Sequence, residues 1–317
     1  MKIRRVIPRD AIPSVDEPDF RTVGADDGDP ADEAIVVEGD PSRAYPLRYL
    51  DFHEIVNAES DGDPIAVTWC PLCGTAVVYD RRVDGRTPTF GVSGNLVQDN
   101  LVMYDRVTES LWRQSTGVAI EGPLAGAELS VRPSWVTTMR RFREARPDGE
   151  VLAPPGGESE ASGPGTEPEP IDYDEAPYEE YFESEGFGLR ALHGGSSRDW
   201  ENEALAPKAI VLGVESGDEA LGFPWSTVDD AGGVVTATVG ELETVVFATA
   251  DGVFAFENPG YDFRAIGNGQ FRADGTTWDG ATGEASDGRS LERLPARRAF
   301  AFAWRDDHGP DRFFDGT

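Results

Sequence analysis

Residues 112–122 read WRQSTGVAIEG, and residues 278–288 read WDGATGEASDG. One constant offset, 278 − 112 = 166, carries Trp112, Thr116, Gly117, Ala119, Glu121 and Gly122 onto Trp278, Thr282, Gly283, Ala285, Asp287 and Gly288. Upstream a second offset, 223 − 45 = 178, lays Tyr45-Pro46-Leu47 on Phe223-Pro224-Trp225. It also lays Trp69-Cys70-Pro71-Leu72-Cys73-Gly74 on Phe247-Ala248-Thr249-Ala250-Asp251-Gly252. The chain therefore reads as an internal duplication in which one copy is chemically armed. Where the first copy holds His53, Cys70 and Cys73, the second holds Ala231, Ala248 and Asp251.

Short apolar runs broken by Gly, Pro, Asn and Asp surround these words, which is the pattern of strands and turns. Strands are expected at Ile35 to Glu38, Ala66 to Trp69, Thr75 to Tyr79, Thr89 to Val92, Leu101 to Tyr104, Val234 to Val239 and Val245 to Phe256. Helices are expected from Pro46 to Asn57, where proline suits the first turn, and from Ser134 through Trp135, Met139, Phe142 and Arg143 to a stop near Pro147. The second of these has no evident counterpart downstream. Residues 153–177 (APPGGESEASGPGTEPEPIDYDEAP) lack periodicity and have a linker or surface-loop composition. The expected fold class is mainly β, a β-rich α+β protein of two duplicated units with a few short helices. The units are residues 1–152, carrying the CPLCG motif, and residues 178–317, degenerate, joined by 153–177.

Asp and Glu number 59 against 28 Lys and Arg, a formal charge of −31 that opposes phosphate backbones and anionic lipid surfaces. Nucleic-acid binding is thereby set aside. Lys2 and Lys208 are the only lysines, and acidic runs such as Asp26-Asp27-Gly28-Asp29 and Asp229-Asp230 are spread along the chain. An acidic coat of this kind is expected of a protein from a high-salt cytoplasm, where salt screens self-repulsion. No apolar run reaches the roughly 18 residues of a membrane helix, and Met1 to Asp10 has no apolar signal core, so no membrane insertion is expected.

Cys70 and Cys73 are spaced so that two thiolates can face one metal ion, and Gly74 permits a tight knuckle. Zinc or another transition metal is the expected cofactor, with His53 as third ligand and Glu54 and Asn57 as its supporting shell. An open fourth position would allow metal-dependent chemistry. Two alternatives stand beside this reading. One is a non-enzymatic module that binds a small molecule or partner in a cleft lined by Ser93, Asn95, Tyr104, Asp105, Arg106, Trp112 and Gln114. The weaker one is a thiol redox protein, although the β-branched residues after Cys73 supply no helix N-terminus to stabilise a thiolate. The two thiols can also be plain apolar packing. Trp112, repeated as Trp278, is expected in the core. His193 is expected in a loop, within reach of the site, and His308 is given no role.

The ordered words AYPL (44–47), HEIVN (53–57), CPLCGTA (70–76), FGVSG (90–94), LVMYDR (101–106) and SLWRQ (110–114) resemble the family of the domain of unknown function 3179. The resemblance continues through Ala119 to Leu124 and to Phe302-Ala303-Trp304, nearly the whole chain. It implies no activity and no cofactor.

Overall fold

The computed structural model describes residues 2–24, 27–163 and 167–316. The first series of elements is β1 (Arg4–Arg5), β2 (Phe20–Thr22), β3 (Glu33–Val37), β4 (Arg43–Pro46), α1 (Leu47–His53), β5 (Ile55–Ser60), β6 (Asp63–Cys70) and β7 (Thr75–Asp80). Then come β8 (Phe90–Val97), β9 (Asn100–Asp105), β10 (Leu111–Arg113), β11 (Ala119–Glu121), β12 (Trp135–Thr138), α2 (Met139–Ala145) and β13 (Glu150–Leu152). A connecting stretch carries β14 (Glu158–Ser159), β15 (Glu169–Pro170), α3 (Glu179–Glu183) and α4 (Gly188–Leu192). The second series is β16 (Ile210–Ser216), β17 (Glu219–Pro224), α5 (Trp225–Asp230), β18 (Val234–Val239), β19 (Leu242–Thr249) and β20 (Gly252–Glu257). It ends with β21 (Arg264–Gly267), β22 (Gln270–Ala273), β23 (Thr276–Asp279), β24 (Ala296–Phe300) and α6 (Ala301–His308). The protein is mainly β.

The same pairings occur in both series. β3 lies antiparallel between β4 and β12, as β16 lies between β17 and β24. β5, β6 and β7 form an antiparallel meander, as do β18, β19 and β20. β8, β9 and β10 form a second one, matched by β21, β22 and β23. Trp112 pairs with Ala119, and Trp278 with Ala285. Pro46 and Pro224 each precede a helix, where the fixed proline φ and missing donor are tolerated. β12 runs into α2 as β24 runs into α6, so the helix that lacked a counterpart in the sequence has one in α6.

The two series do not form separate bodies. One six-stranded sheet has the order β17-β16-β24-β7-β6-β5, joined where Arg298 faces Ala76. Ala299, Phe300, Phe302 and Ala303 pack in the core of the first meanders, with Cys70, Val77, Tyr79, Phe90, Met103 and Trp112. Reciprocally, Trp135, Met139 and Phe142 pack among Phe247, Phe254, Phe256, Phe271 and Trp278. Each half closes the other's core with its last strand and helix.

Local expectations need correction in three places. The helix begun at Pro46 ends at His53 because Glu54 adopts φ 57°, and Asn57 belongs to β5. Trp135 starts a strand, and the helix begins only at Met139, where the Thr138 side chain caps the Arg141 N–H. Val245 to Phe256 is a hairpin of β19 and β20. In 153–177, Ser159 Oγ donates to Phe52 O at 2.9 Å and Tyr173 sets its ring against Tyr49 and Phe52, so this loop is docked on α1. Residues 164–166 of that loop, and Asp26 of the acidic run, lie outside the described residues.

Candidate functional site

Cys70 closes β6 opposite Thr75, leaving Pro71 to Gly74 as the turn into β7. Gly74 has φ 61°, and a Cβ there would stand 2.6 Å from the Phe300 ring, so glycine is required for both reasons. The turn is gripped from outside. Tyr181 Oη donates to Leu72 O at 2.6 Å, and the Phe300 N–H donates to Cys73 O at 2.9 Å. Both cysteines are free and buried. Burial, then the adjoining Cys73 thiol, then Glu54, push the Cys70 thiol well above the usual thiol range. Cys70 is therefore a neutral thiol at neutral pH, a poor nucleophile, which weakens the redox reading.

Beside Cys70 lies a cavity of about 110 Å³, walled mainly by apolar side chains such as Ile12, Leu72, Val92 and Leu101. Glu54, Cys70, Asn95, Glu160, Tyr178 and His193 bring the polar groups. Glu54 sits at the break between α1 and β5, almost wholly buried, and its Oε2 has no hydrogen-bond partner. Burial first, then Glu160 and Asp51, push its carboxyl up to about 8. Glu160 is pushed up by burial as well, and Tyr178 well above the phenol range by burial and then by Glu54. Several other interior carboxylates are paired with arginine, Glu38 with Arg146, Glu33 with Arg298, Glu215 with Arg297 and Asp307 with Arg113, while Asp51 and Asp105 accept from the indole N–H groups of Trp69 and Trp112. No arginine or lysine lines this cavity.

Most of the polar residues singled out in the sequence serve the scaffold. The Pro13 carbonyl can only accept, so His53 Nδ1 carries the proton and donates to it at 2.9 Å, and Nε2 accepts from Tyr173 Oη at 2.6 Å. Burial lowers the His53 pKa, in keeping with a neutral ring. With both ring nitrogens engaged, His53 pins the 156–173 loop in this structure. Asn57 exchanges hydrogen bonds with the Phe90 backbone and donates to Asp16. Ser93 holds the bulge in β8 by donating to Val102 O. Tyr104 donates to Asp10 Oδ2 at 2.5 Å and receives Arg106, which also reaches Ser14, so this group ties down the N-terminal arm. Asp105 accepts from the N–H groups of Val107 and Thr108 and from Trp112 Nε1, making Trp112 part of the core. Gln114 Nε2 donates to Thr68 Oγ1 and Thr75 O. His308 Nε2 meets Glu215 Oε1 at 3.1 Å with its ring 3.9 Å from Trp304.

Among the described residues no three His, Cys, Asp or Glu stand together in a group fit to hold a metal ion. What the structure does bring together around the cavity are Cys70, Glu54, Asn95 and His193, with Cys73 beside Cys70. Glu160, Tyr178, Leu189 and Leu192 were missed because the Pro, Gly and Ser that precede them read as linker. The signal available was the density of Tyr173, Tyr178, Tyr181, Phe182 and Phe187 just behind it.

The sequence profile of a family described as a protein of unknown function, DUF3179, matches residues 9–311. The chain belongs to the DUF3179 family. The match spans both series of elements and the cap over the cysteines. No curated protein and no solved structure matches this DUF3179 chain. No helix among its described residues is long and apolar enough to cross a membrane.

Proposed function

We propose that the protein is a small-ligand-binding module whose site is the Cys70 cavity, and that the ligand is a compact organic cation with a short apolar body. The observation that carries this is Glu54: a buried carboxyl with an unpartnered oxygen, raised to about 8, facing a cavity that no arginine or lysine lines. A buried acid of this kind costs stability when ionised, and a bound ammonium group offsets that cost. Apolar walls with a few convergent polar groups are the usual make-up of a ligand pocket. A volume of about 110 Å³ equals roughly four waters, which limits the ligand to about five non-hydrogen atoms.

The test uses butylammonium as probe and butanol as its neutral counterpart, titrated in high salt into wild type, Glu54→Gln and Cys70→Ala with detection by nuclear magnetic resonance. Wild type is expected to take up butylammonium more tightly than butanol, with affinity rising as pH passes through about 8 because Glu54 must lose its proton. Glu54→Gln abolishes that preference. Equal binding of both probes by wild type, or an unchanged preference in Glu54→Gln, would overturn the proposal. So would a stoichiometric metal that disappears in Cys70→Ala, which would return the site to thiolate metal binding.

A further inference from the structure

The two sheets built from the matching hairpins differ at one edge. In the first, β1 lies antiparallel along β8, with Arg4 opposite Leu96 and Arg5 opposite Asn95, and the strand order is β1-β8-β9-β10-β11. In the second, the order is β21-β22-β23, so β21 is an edge strand, and all four of its residues are exposed. The registers align the two places. Val97 faces Asn100 and Leu96 faces Leu101 in the first hairpin, while Gly267 faces Gln270 and Ala265 faces Phe271 in the second. Arg264 and Ala265 therefore stand where Asn95 and Leu96 receive the arm. Ile266, at the register shift, is 52% exposed, and among the described residues only Val107 of the large hydrophobic side chains is more so.

A hollow of about 660 Å³ opens beside this edge. It lies under the β19–β20 turn, the place that the cysteine cavity holds under β6–β7. Ala248 lines it as Cys70 lines the other. In the first half the hollow is covered by the chain's own Val6, Ile7, Tyr178, Leu189 and Leu192. In the second, the charged side chains around it are Glu144, Asp229, Asp251 and Asp279 against Arg140 and Arg141.

We infer that the Arg264–Gly267 edge accepts an extended basic peptide from a partner protein as an added antiparallel strand, its branched apolar residues covering Ile266. An edge strand presents unpaired N–H and C=O groups in the spacing that a further strand needs, and side-chain contacts then set the choice of partner. The chain's own arm is the internal example: Lys2 to Ile7, KIRRVI, is basic with branched apolar residues and adds to β8 in just this manner. Charge selects the same kind of occupant. Four acids against two arginines around the hollow, on a chain of net charge −31, outweigh Arg264 of the strand and Arg272 opposite it, so that the surface attracts a basic segment and repels a second copy. The reading is independent of what occupies the Cys70 cavity.

The probe is a fluorescein-labelled peptide of residues 2–12 of this chain, added to the full-length protein. Binding is followed by anisotropy, and amide hydrogen exchange locates it. The expected result is slowed exchange at residues 264–267, with affinity reduced about tenfold or more by Ile266→Asp and by Ala265→Pro, which remove an apolar contact and a backbone donor respectively. Exchange of the remaining amides verifies that each variant keeps the fold. Protection confined to Asn95 and Leu96 would mean that the peptide had only displaced the resident arm, and would overturn the inference. Unchanged affinity in both variants, or concentration-dependent self-association of the unliganded chain through Ile266, would overturn it as well.

Discussion

The turn from Trp69 to Gly74 and the turn from Phe247 to Gly252 hold the same place in their halves, yet the first is wholly buried and carries two thiols, while the second is partly exposed and carries a carboxylate. Both end in a glycine pressed on the opposite half: a Cβ on Gly74 would meet the Phe300 ring at 2.6 Å, and one on Gly252 would meet Val136 O at 2.8 Å. Asp251, in the place of Cys73, accepts Thr138 Oγ1 at 2.8 Å and Arg140, fastening the turn to α2. Ala248 and Gly232 stand where Cys70 and Glu54 stand. The scaffold therefore builds the turn without thiols or a buried acid. In the first half Cys70 and Glu54 stand instead at the wall of a cavity.

The largest test of this comparison is to separate what it compares. Because α6 and β24 complete the first core and α2 and β12 the second, fragments 1–177 and 178–317 are expected to be unfolded alone and to regain structure when refolded together. Circular dichroism of each fragment and of the mixture in high salt decides it. A fragment that folds cooperatively by itself would show the halves to be autonomous.

A smaller effect separates the two ion pairs that lock the halves. Arg113 of β10 meets Asp307 of α6, and in the reverse sense Arg141 of α2 meets Asp279 of β23. The first pair is almost wholly buried and the second partly solvated. Arg113→Met leaves an uncompensated buried carboxylate and is expected to cost about 3–5 kcal/mol. Arg141→Met is expected to cost about 1 kcal/mol or less. Denaturation midpoints of the two variants compare them directly, and equal losses would make the reversed pairs equivalent.

Much of this architecture was legible in the sequence, and the illegible part has physical causes. The repeated tryptophan words, and the prolines before α1 and α5, fall at matching places in the two series of strand pairings. The interlocking did not show, because a β12 or β24 residue has the same apolar alternation whichever core it enters. At the site, Cys70 and Glu54 were recognisable as chemistry, but a histidine next to a carboxylate reads equally as ligand and as pin. Only the Pro13 carbonyl and the Tyr173 hydroxyl, far away in sequence, decide for the pin. The cap was hidden by composition, since Pro, Gly and acidic residues mark a loop whether or not its aromatic residues dock.

Glu54 gives a pH-dependent measure of the difference between the halves. Its folded-state pKa of about 8 lies above the ordinary carboxyl value of 4.5, so its contribution is fully present below about pH 4.5 and is lost as pH rises through about 8. Glu54→Gln removes that loss. The variant is expected to match wild type near pH 4.5 and to exceed it at pH 8 by an amount on the order of a few kcal/mol, read from unfolding midpoints at each pH. Gly232, in the equivalent place, offers no such term. A pH-independent difference would show that Glu54 is not the buried acid described.

The smallest expected effect tests the pin that joins cap and scaffold. Tyr173 Oη donates to His53 Nε2 and accepts the Gly156 N–H, so one hydroxyl holds both ends of the 156–173 loop against α1. Tyr173→Phe keeps the ring contacts with Tyr49 and Phe52 and deletes only that oxygen. Loss of a hydrogen bond that leaves a buried ring nitrogen unpaired costs about 1–2 kcal/mol. The consequence is local: Glu160, carried by the same loop, lines the Cys70 cavity, so amide exchange is expected to quicken over residues 156–163 while the β18–β20 meander stays unchanged. Faster exchange in both halves would mean that the pin supports the whole fold. Confinement to the first half would make His53 the clasp of the Cys70 site, a part that the second half, with Ala231 in the equivalent place, does without.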